Sequence, residues 1–124
     1  MAFNPVVWFE IYVQDMERAK AFYTQVFGIE FQKLDTPDIP MWAFPMPDPE
    51  AKGASGALVQ FTGMASGGGG TMVYFTCDDC AVEAGRVEAA GGRVQRDKMS
   101  IGPYGFIALA ADTEGNMIGL HSLR

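Results

Sequence analysis

The sequence predicts an α+β fold in which two βαβββ modules follow one another along the chain. At an offset of 64 residues, WFEIYVQD (8–15) aligns with MVYFTCDD (72–79), and Gly28 aligns with Gly92. Each half also begins with a stretch that alternates between two faces, followed by a helical stretch that starts after an aspartate and stops at glycine. The two halves are therefore expected to fold alike.

The bulk composition fits one compact domain. Of 124 residues, 48% are hydrophobic and 19% are charged, which is enough to bury a core. We expect module one over 1–63, a glycine-rich connection over 64–70 and module two over 71–124. Four consecutive glycines favour a flexible surface connection, and its reach would also permit exchange of modules between chains.

The first strand is predicted over 6–13. Phe9, Ile11 and Val13 share one face, which is uniformly apolar and should cover the following helix, as the two-residue period of a strand requires. Asp15 is expected to cap that helix, because a carboxylate there accepts bonds from free backbone amides. The helix should end at Gly28. Its inward residues are predicted to be Met16, Ala19, Phe22, Tyr23 and Val26.

Module two repeats this plan. Val73, Phe75 and Cys77 should face a helix that is capped by Asp79 and stopped by Gly91 and Gly92, with Ala84, Val87 and Ala90 inward. Three strands are expected after each helix. They are placed at 29–34, 41–45 and 57–61 in module one, and at 93–95, 105–110 and 117–122 in module two.

Three segments carry a family resemblance. VQDMERAKAFYTQVFG (13–28), CDDCAVEAGRVEAAGG (77–92) and DTEGNMIGLHS (112–122) resemble, in this order, the vicinal oxygen chelate superfamily, which includes glyoxalases, bleomycin-resistance proteins and extradiol dioxygenases. The resemblance implies that the modules roll into a cup-shaped, incompletely closed mixed β-sheet with helices on the outside. It also implies a ligand in the cup and a homodimer.

The same resemblance implies four metal-ligand positions, one on the first and one on the last strand of each module. In this sequence they fall at Trp8, Met72, Gly119 and, by module alignment, near Leu58. None of these residues offers the oxygen or imidazole ligand that a divalent metal needs. We therefore expect no cofactor. A metal held by Glu10 and His121 is the alternative.

Strand alternation places Glu10, Tyr12, Tyr74, Thr76 and His121 in the cup. Glu10 and His121 are the catalytic candidates, because a carboxylate among aromatic residues tends to have a raised pKa and can act as general base, and an imidazole titrates near neutrality. The alternative is that the two merely satisfy each other or the backbone. Substrate-binding candidates are Trp8, Tyr12, Met72, Tyr74, Thr76 and Tyr104.

Two other segments are candidates for function. Cys77 and Cys80 have the spacing of a redox pair, but Cys77 should face a helix and the neighbouring aspartates should raise the thiol pKa, which disfavours a dithiol switch. Residues 98–105 are predicted to form a loop at the pocket rim, where Lys98, Ser100 and Tyr104 could contact a polar ligand.

Charge and hydropathy narrow the possible partners. A net charge of -6 argues against nucleic acid and anionic membranes as partners, and no apolar run approaches a membrane span or a signal peptide, so a cytoplasmic location is expected.

Three functions stay open. The protein could be a glyoxalase-like enzyme such as a lyase, isomerase or dioxygenase relative, a bleomycin-resistance-type binding protein, or an interaction module whose cup is filled by its own side chains.

Overall fold

The computed structural model describes residues 6, 8–46, 53–69 and 71–124. In module one, β1 (Trp8–Tyr12), β2 (Gln32–Lys33), β3 (Met41–Ala43) and β4 (Ser55–Val59) form a sheet in the order β1-β4-β3-β2. Strands β1 and β4 are parallel and the other neighbours are antiparallel. Helix α1 (Met16–Phe27) connects β1 to β2.

Module two has the same topology. Its sheet contains β5 (Val73–Thr76), β6 (Arg93–Ser100), β7 (Phe106–Ala111) and β8 (Met117–Ser122) in the order β5-β8-β7-β6, and α2 (Cys80–Val87) follows β5. Strands β5 and β8 are parallel, as β1 and β4 are in module one. The α+β fold of two βαβββ modules is therefore confirmed, and within the described residues neither sheet closes into a barrel.

Helix α1 follows its predicted caps and faces. Asp15 accepts a hydrogen bond from the Arg18 amide at 3.1 Å, and Gly28 ends the helix in the left-handed conformation with φ of 66°. The five residues predicted to point inward are the five that are buried. Helix α2 begins after Asp79 as predicted but ends at Val87, and turns continue the chain to Gly91.

One hydrophobic core joins the two modules. Buried residues of α1 share a cluster with Ile11 and Leu58 of the first sheet and with Ala110 and Ile118 of the second. Aromatic rings cross the boundary, since Phe75 of β5 lies 4.6 Å from Phe27 and 5.9 Å from Tyr23, between ring centroids. The helix-facing sides of both sheets are therefore buried, and their opposite sides are open in a single chain.

Polar contacts also join the modules, through the turn between β7 and β8. The buried Glu114 carboxylate accepts hydrogen bonds from the backbone amides of Gln14 (2.8 Å) and Asp15 (3.0 Å), and from Arg18 Nε at 2.7 Å. Tyr23 donates to the buried Asp112 at 2.7 Å. The start of α1 is thus fixed by a carboxylate of module two, where an anion also complements the helix dipole.

The connection between modules is attached to this same turn. Ser66 Oγ donates to the Glu114 carbonyl at 2.6 Å, and the Gly67 amide donates to Asn116 Oδ1 at 2.7 Å. The flexible link that four glycines predict is therefore bonded to the body of the protein at these two residues.

Several predicted strand boundaries were wrong, including those of β3, which ends at Ala43 rather than at 45, and of β4, which spans Ser55–Val59 rather than 57–61. Strand β6 runs to Ser100, beyond the predicted 93–95, because irregularities in its pairing with β7 absorb extra residues without ending the strand. Strand β2 is shorter than predicted and consists only of Gln32 and Lys33. No helix within the described part of the chain is long and apolar enough to cross a membrane.

Candidate functional site

The Glu10 carboxylate on β1 accepts hydrogen bonds from two side chains of its own strand. Trp8 Nε1 donates to one of its oxygens at 3.2 Å, and the Tyr12 hydroxyl donates to the other at 2.7 Å. The three residues share a face because alternate residues of a strand point the same way. The hydrogen bond to Glu10, then burial, then the charge of Glu10 raise the pKa of Tyr12, which keeps its hydroxyl a donor.

Glu10 is exposed and is not buried among the neighbouring aromatic residues. With Tyr12 it lines an open depression of about 200 Å³, whose other walls include the glycine segment 67–69, Thr71, Asn116 and Met117. Both modules and the connection between them therefore contribute to this depression. His121 is not among its lining residues.

A second group of candidates lies on the open face of module two. The register pairs Tyr74 with Gly119 and Thr76 with His121, so these four residues form two adjacent rows on β5 and β8. The Tyr74 ring lies directly against Gly119, where any Cβ would overlap it. Tyr74 is 49% exposed, and Met72, directly before β5, is 38% exposed. This face therefore offers a broad aromatic and apolar surface.

His121 is oriented by the turn that follows β6. Its Nε2 lies 2.7 Å from the carbonyl oxygen of Tyr104. Since a carbonyl only accepts, Nε2 carries the proton in this contact, and Nδ1 of a neutral ring is then the acceptor. The Tyr104 side chain itself is 72% exposed. His121 and Tyr104 thus form a backbone-linked pair at the end of module two.

The prediction that residues 98–105 form a rim loop was wrong in its first part. Lys98 to Ser100 belong to β6, and only Gly102–Tyr104 form a short 3-10 turn. The Lys98 ammonium bonds Asp79 at 2.8 Å and the Arg124 carbonyl at 3.0 Å, because the longer strand carries it to the start of α2. Lys98 therefore stabilises the helix cap. Ser100 Oγ accepts from the Gly102 amide at 3.2 Å and so supports the turn.

The expected metal-ligand positions carry no chelating side chain. Trp8, Met72 and Gly119 occupy three of these positions. The prediction that the fourth position lies near Leu58 was wrong. Leu58 pairs with Ile11 and is fully buried in the core on the helix side, whereas Ala57 pairs with Glu10. The cause is a shift in the repeat. Gln60 Oε1 accepts a hydrogen bond from the first amide of α1, and Ser122 Oγ accepts one from the first amide of α2. These two residues therefore occupy equivalent positions at the end of the last strand of each module. They are 62 positions apart in the sequence, whereas the first strands and helices of the two modules are 64 positions apart.

No group of three or more His, Cys, Asp or Glu side chains in the described ranges is arranged to hold a metal ion. Glu10 and His121 stand on different sheets, and each has its own hydrogen-bond partners. The structure therefore brings together Trp8, Glu10 and Tyr12 as one group, and Tyr74, Thr76 and His121 as another, with Tyr104 beside the second.

The two cysteines behave as structural residues. Cys80, the first residue of α2, is fully buried, and Cys77, directly after β5, is partly buried. Burial first, and then the nearby Glu83 carboxylate, raise the pKa of the Cys77 thiol to about 12. The predicted direction was right, although the raising charge is that of Glu83 rather than that of the adjacent aspartates. Such a thiol is a poor nucleophile at neutral pH.

Sequence reasoning missed the cross-module role of Glu114 and the lining residues Thr71 and Met117. The resemblance drew attention to the 112–122 segment as a turn and strand, but nothing local to that segment indicates that Glu114 reaches the start of α1, about 100 residues away along the chain. Thr71 and Met117 line the depression only because of the way the two modules pack together.

Comparison with known proteins agrees with this fold. A family model described as bleomycin resistance protein-like N-terminal matches residues 6–41. A search of curated protein sequences found no match. Among solved structures, TnmS3, an antibiotic binding protein from Streptomyces sp. CB03234, is similar over 100% of this chain and 99% of its own, with 27% identity and a TM-score of 0.69.

Two further structures are similar. A glyoxalase/bleomycin resistance protein from Streptomyces sp. CB03234 has 26% identity and a TM-score of 0.67 over 94% of this chain and 99% of its own. A glyoxalase I variant from Zea mays has 25% identity and a TM-score of 0.75 over 95% of this chain, which spans only 46% of that protein. These findings confirm the predicted resemblance to the vicinal oxygen chelate superfamily of glyoxalase, bleomycin-resistance and dioxygenase proteins.

Proposed function

We propose that this protein binds and sequesters a small organic molecule on the open faces of its two sheets. The observation that carries the proposal is the exposure of large aromatic and sulphur-containing side chains there. Trp8 and Met72 are each 38% exposed and Tyr74 is 49% exposed, and Tyr104, in the turn beside the second sheet, is 72% exposed. Apolar and aromatic residues beside a few polar groups are typical of ligand sites. Because these side chains remain accessible to solvent, a cup that is filled by its own residues is the less favoured alternative.

The comparisons support the same choice. TnmS3 is described as an antibiotic binding protein and is similar over the full length of this chain. The family-model match to a bleomycin resistance-like segment covers β1, α1 and β2. Antibiotics with aromatic ring systems, bleomycin among them, are therefore the first ligands to test.

We propose that binding needs no metal. Trp8, Met72 and Gly119 lack hard ligand atoms, and the Tyr74 ring occupies the space that a side chain at position 119 would need. Elemental analysis of the purified protein should therefore find no stoichiometric divalent metal, and chelator should not change its melting temperature. About one tightly held metal per chain would contradict this and would direct attention to Glu10 and His121.

We also propose a homodimer, because each chain leaves the aromatic faces of both sheets open. Exposed apolar surface of this kind is commonly covered by a second copy. Light scattering at micromolar concentration should give about twice the chain mass of 13.4 kDa. A monomer alone would contradict this part of the proposal.

The two tryptophans allow a direct test of where the ligand binds. Trp8 lies on the open face, whereas Trp42 pairs with Leu58 on the helix side and has the Lys20 ammonium 3.2 Å from its ring centroid. A ligand on the open face should quench the fluorescence of Trp42→Phe, in which only Trp8 emits. The same ligand should leave Trp8→Phe nearly unchanged.

Thermal stabilisation provides the binding measurement. A ligand that binds only the folded state at about 100 times its Kd stabilises it by about 2.7 kcal/mol, which raises the melting temperature by several degrees. If no compound in a broad panel of aromatic antibiotics and metabolites stabilises the protein, sequestration is refuted. If stabilising ligands quench Trp42 but not Trp8, the location of the site is refuted.

An enzyme is the second candidate, and the Trp8–Glu10–Tyr12 arrangement favours it. A carboxylate whose two oxygens are oriented by neighbouring donors could act as a general base in a lyase or isomerase reaction. Conversion of a bound ligand, lost in Glu10→Gln and retained in the exposed control Glu30→Gln, would support catalysis. Binding without conversion would leave sequestration as the function.

A further inference from the structure

The Glu10 carboxylate has unused hydrogen-bonding capacity in a fixed direction. Trp8 Nε1 and the Tyr12 hydroxyl each donate to a different oxygen, and the phenol contact is short at 2.7 Å. A carboxylate offers about four acceptor positions, so about two remain open. Because Glu10 is exposed beside the depression that it lines, these positions are accessible to a ligand.

The charge at this position is not neutralised by the surrounding described residues. The ion pairs of the described chain involve Glu17, Asp79 and Glu114, and none includes Glu10. The whole protein carries a net charge of -6. An exposed anion on an anionic protein attracts cations and disfavours anions.

The neighbouring rings favour an organic cation over a metal ion. Trp8 and Tyr12 stand two residues to either side of Glu10, which places them roughly 7 Å away along the strand. A cation bound to the carboxylate would therefore lie beside both aromatic systems, which attract positive charge. Mg²⁺ or Ca²⁺ would need about six oxygen ligands, whereas a protonated amine has three donors and can use the two open positions of one carboxylate.

We infer that the ligand carries a protonated amine, or a similar nitrogen cation, that binds Glu10 between Trp8 and Tyr12 while its aromatic part covers the open apolar face. This inference rests on the proposed small-molecule binding function and adds the charge class of the ligand. The Tyr12 hydroxyl and the Trp8 N–H group position the carboxylate, and the rings that carry them lie beside the bound cation.

A matched set of naphthalene probes tests the inference. Naphthylmethylammonium, naphthalenemethanol and naphthoate share one aromatic body and differ in charge, and their Kd values can be measured by isothermal titration calorimetry. The cation should bind the unmodified protein about tenfold more tightly than the neutral alcohol, and naphthoate should bind most weakly. The preference for the cation should weaken in high salt.

Two variants assign the effect to a residue. Glu10→Gln should bind the cation and the alcohol about equally, whereas Glu30→Gln removes the same charge from an exposed position elsewhere and should keep the tenfold preference. Equal melting temperatures of the two variants would show that both are folded.

The outcomes separate this inference from the proposed function. Equal binding of the cation and the alcohol by the unmodified protein would overturn the inference and leave small-molecule binding intact. An unchanged preference in Glu10→Gln would also overturn it, since net charge alone would then explain the result. If none of the three probes binds at millimolar concentration, both the inference and the proposed open-face site are overturned.

Discussion

Replacing Glu114 by glutamine tests the joint between the two modules. The Glu114 side chain is fully buried, and one of its oxygens accepts from the amides of Gln14 and Asp15 while the other accepts from Arg18 Nε at 2.7 Å. Glutamine has nearly the same shape, but its NH₂ group must face one of these donors whichever way the amide is turned. The variant therefore loses at least one buried hydrogen bond and the ion pair.

The cost follows from the hydrogen bonds that the substitution removes. A hydrogen bond to a charged group contributes about 1.5–3 kcal/mol, and a buried donor left without a partner adds to the penalty. Arg18 is 51% exposed, so water can solvate part of its released charge. We therefore expect the free energy of unfolding to fall by about 2–4 kcal/mol. For a chain of 124 residues this corresponds to a melting temperature lower by roughly 8–15 °C.

The effect should depend on pH with a defined sign. Burial opposes ionisation of Glu114, but hydrogen bonds from Arg18 and from the amides of Gln14 and Asp15 outweigh it and lower its pKa to about 2. Because the folded pKa lies below the ordinary value of 4.5, ionised Glu114 stabilises the folded state fully above about pH 4.5. This stabilisation is lost as the pH falls from about 4.5 towards 2, so the difference between parent and variant should shrink over that window.

Differential scanning calorimetry of parent and variant at pH 7 and at pH 3 gives the measurement. Glu17→Gln is the matched control, because Glu17 lies on α1 next to Arg18, is 82% exposed and forms a surface pair with Lys20 at 3.2 Å. Its loss should change stability by less than about 0.5–1 kcal/mol. If Glu114→Gln melts within about 2 °C of Glu17→Gln at pH 7, the carboxylate does not hold the modules together and the reasoning is refuted.

Three further predictions concern stability and reactivity. In thermal melts, Gly119→Ala should lower the free energy of unfolding by about 1–3 kcal/mol, because its Cβ would overlap the Tyr74 ring. The same substitution should destabilise less in a Tyr74→Ala background, and an equal loss of stability in both backgrounds would contradict the contact. Gly105→Ala should destabilise the protein more than Gly102→Ala. Gly105 has φ of 108° and lies against the Ser122 carbonyl, whereas Gly102 has φ of 75° and open space around it. Equal melting temperatures of the two variants would contradict this prediction. Cys77, with its thiol pKa raised to about 12, should react with iodoacetamide at pH 8 about tenfold or more slowly in the folded protein than in urea, and equal rates would show that it is accessible and ionised.

The sequence predicted the local organisation of each module well. The helix period identified all five buried residues of α1, and strand alternation put Ile11 and Val13 on the core side and Glu10 on the open side of β1. These features follow from periods of 3.6 and two residues, which neighbouring residues alone determine.

The tertiary structure decided everything that depends on register and on contacts between modules. A two-residue shift of the repeat moved Leu58 to the core and put Ala57 beside Glu10, and irregular pairing extended β6 through Lys98. The bonds of Glu114 to Gln14 and Asp15 join residues about 100 positions apart. A local period contains no information about which distant group completes a hydrogen bond, because that choice is made by the packing of two sheets around a shared core.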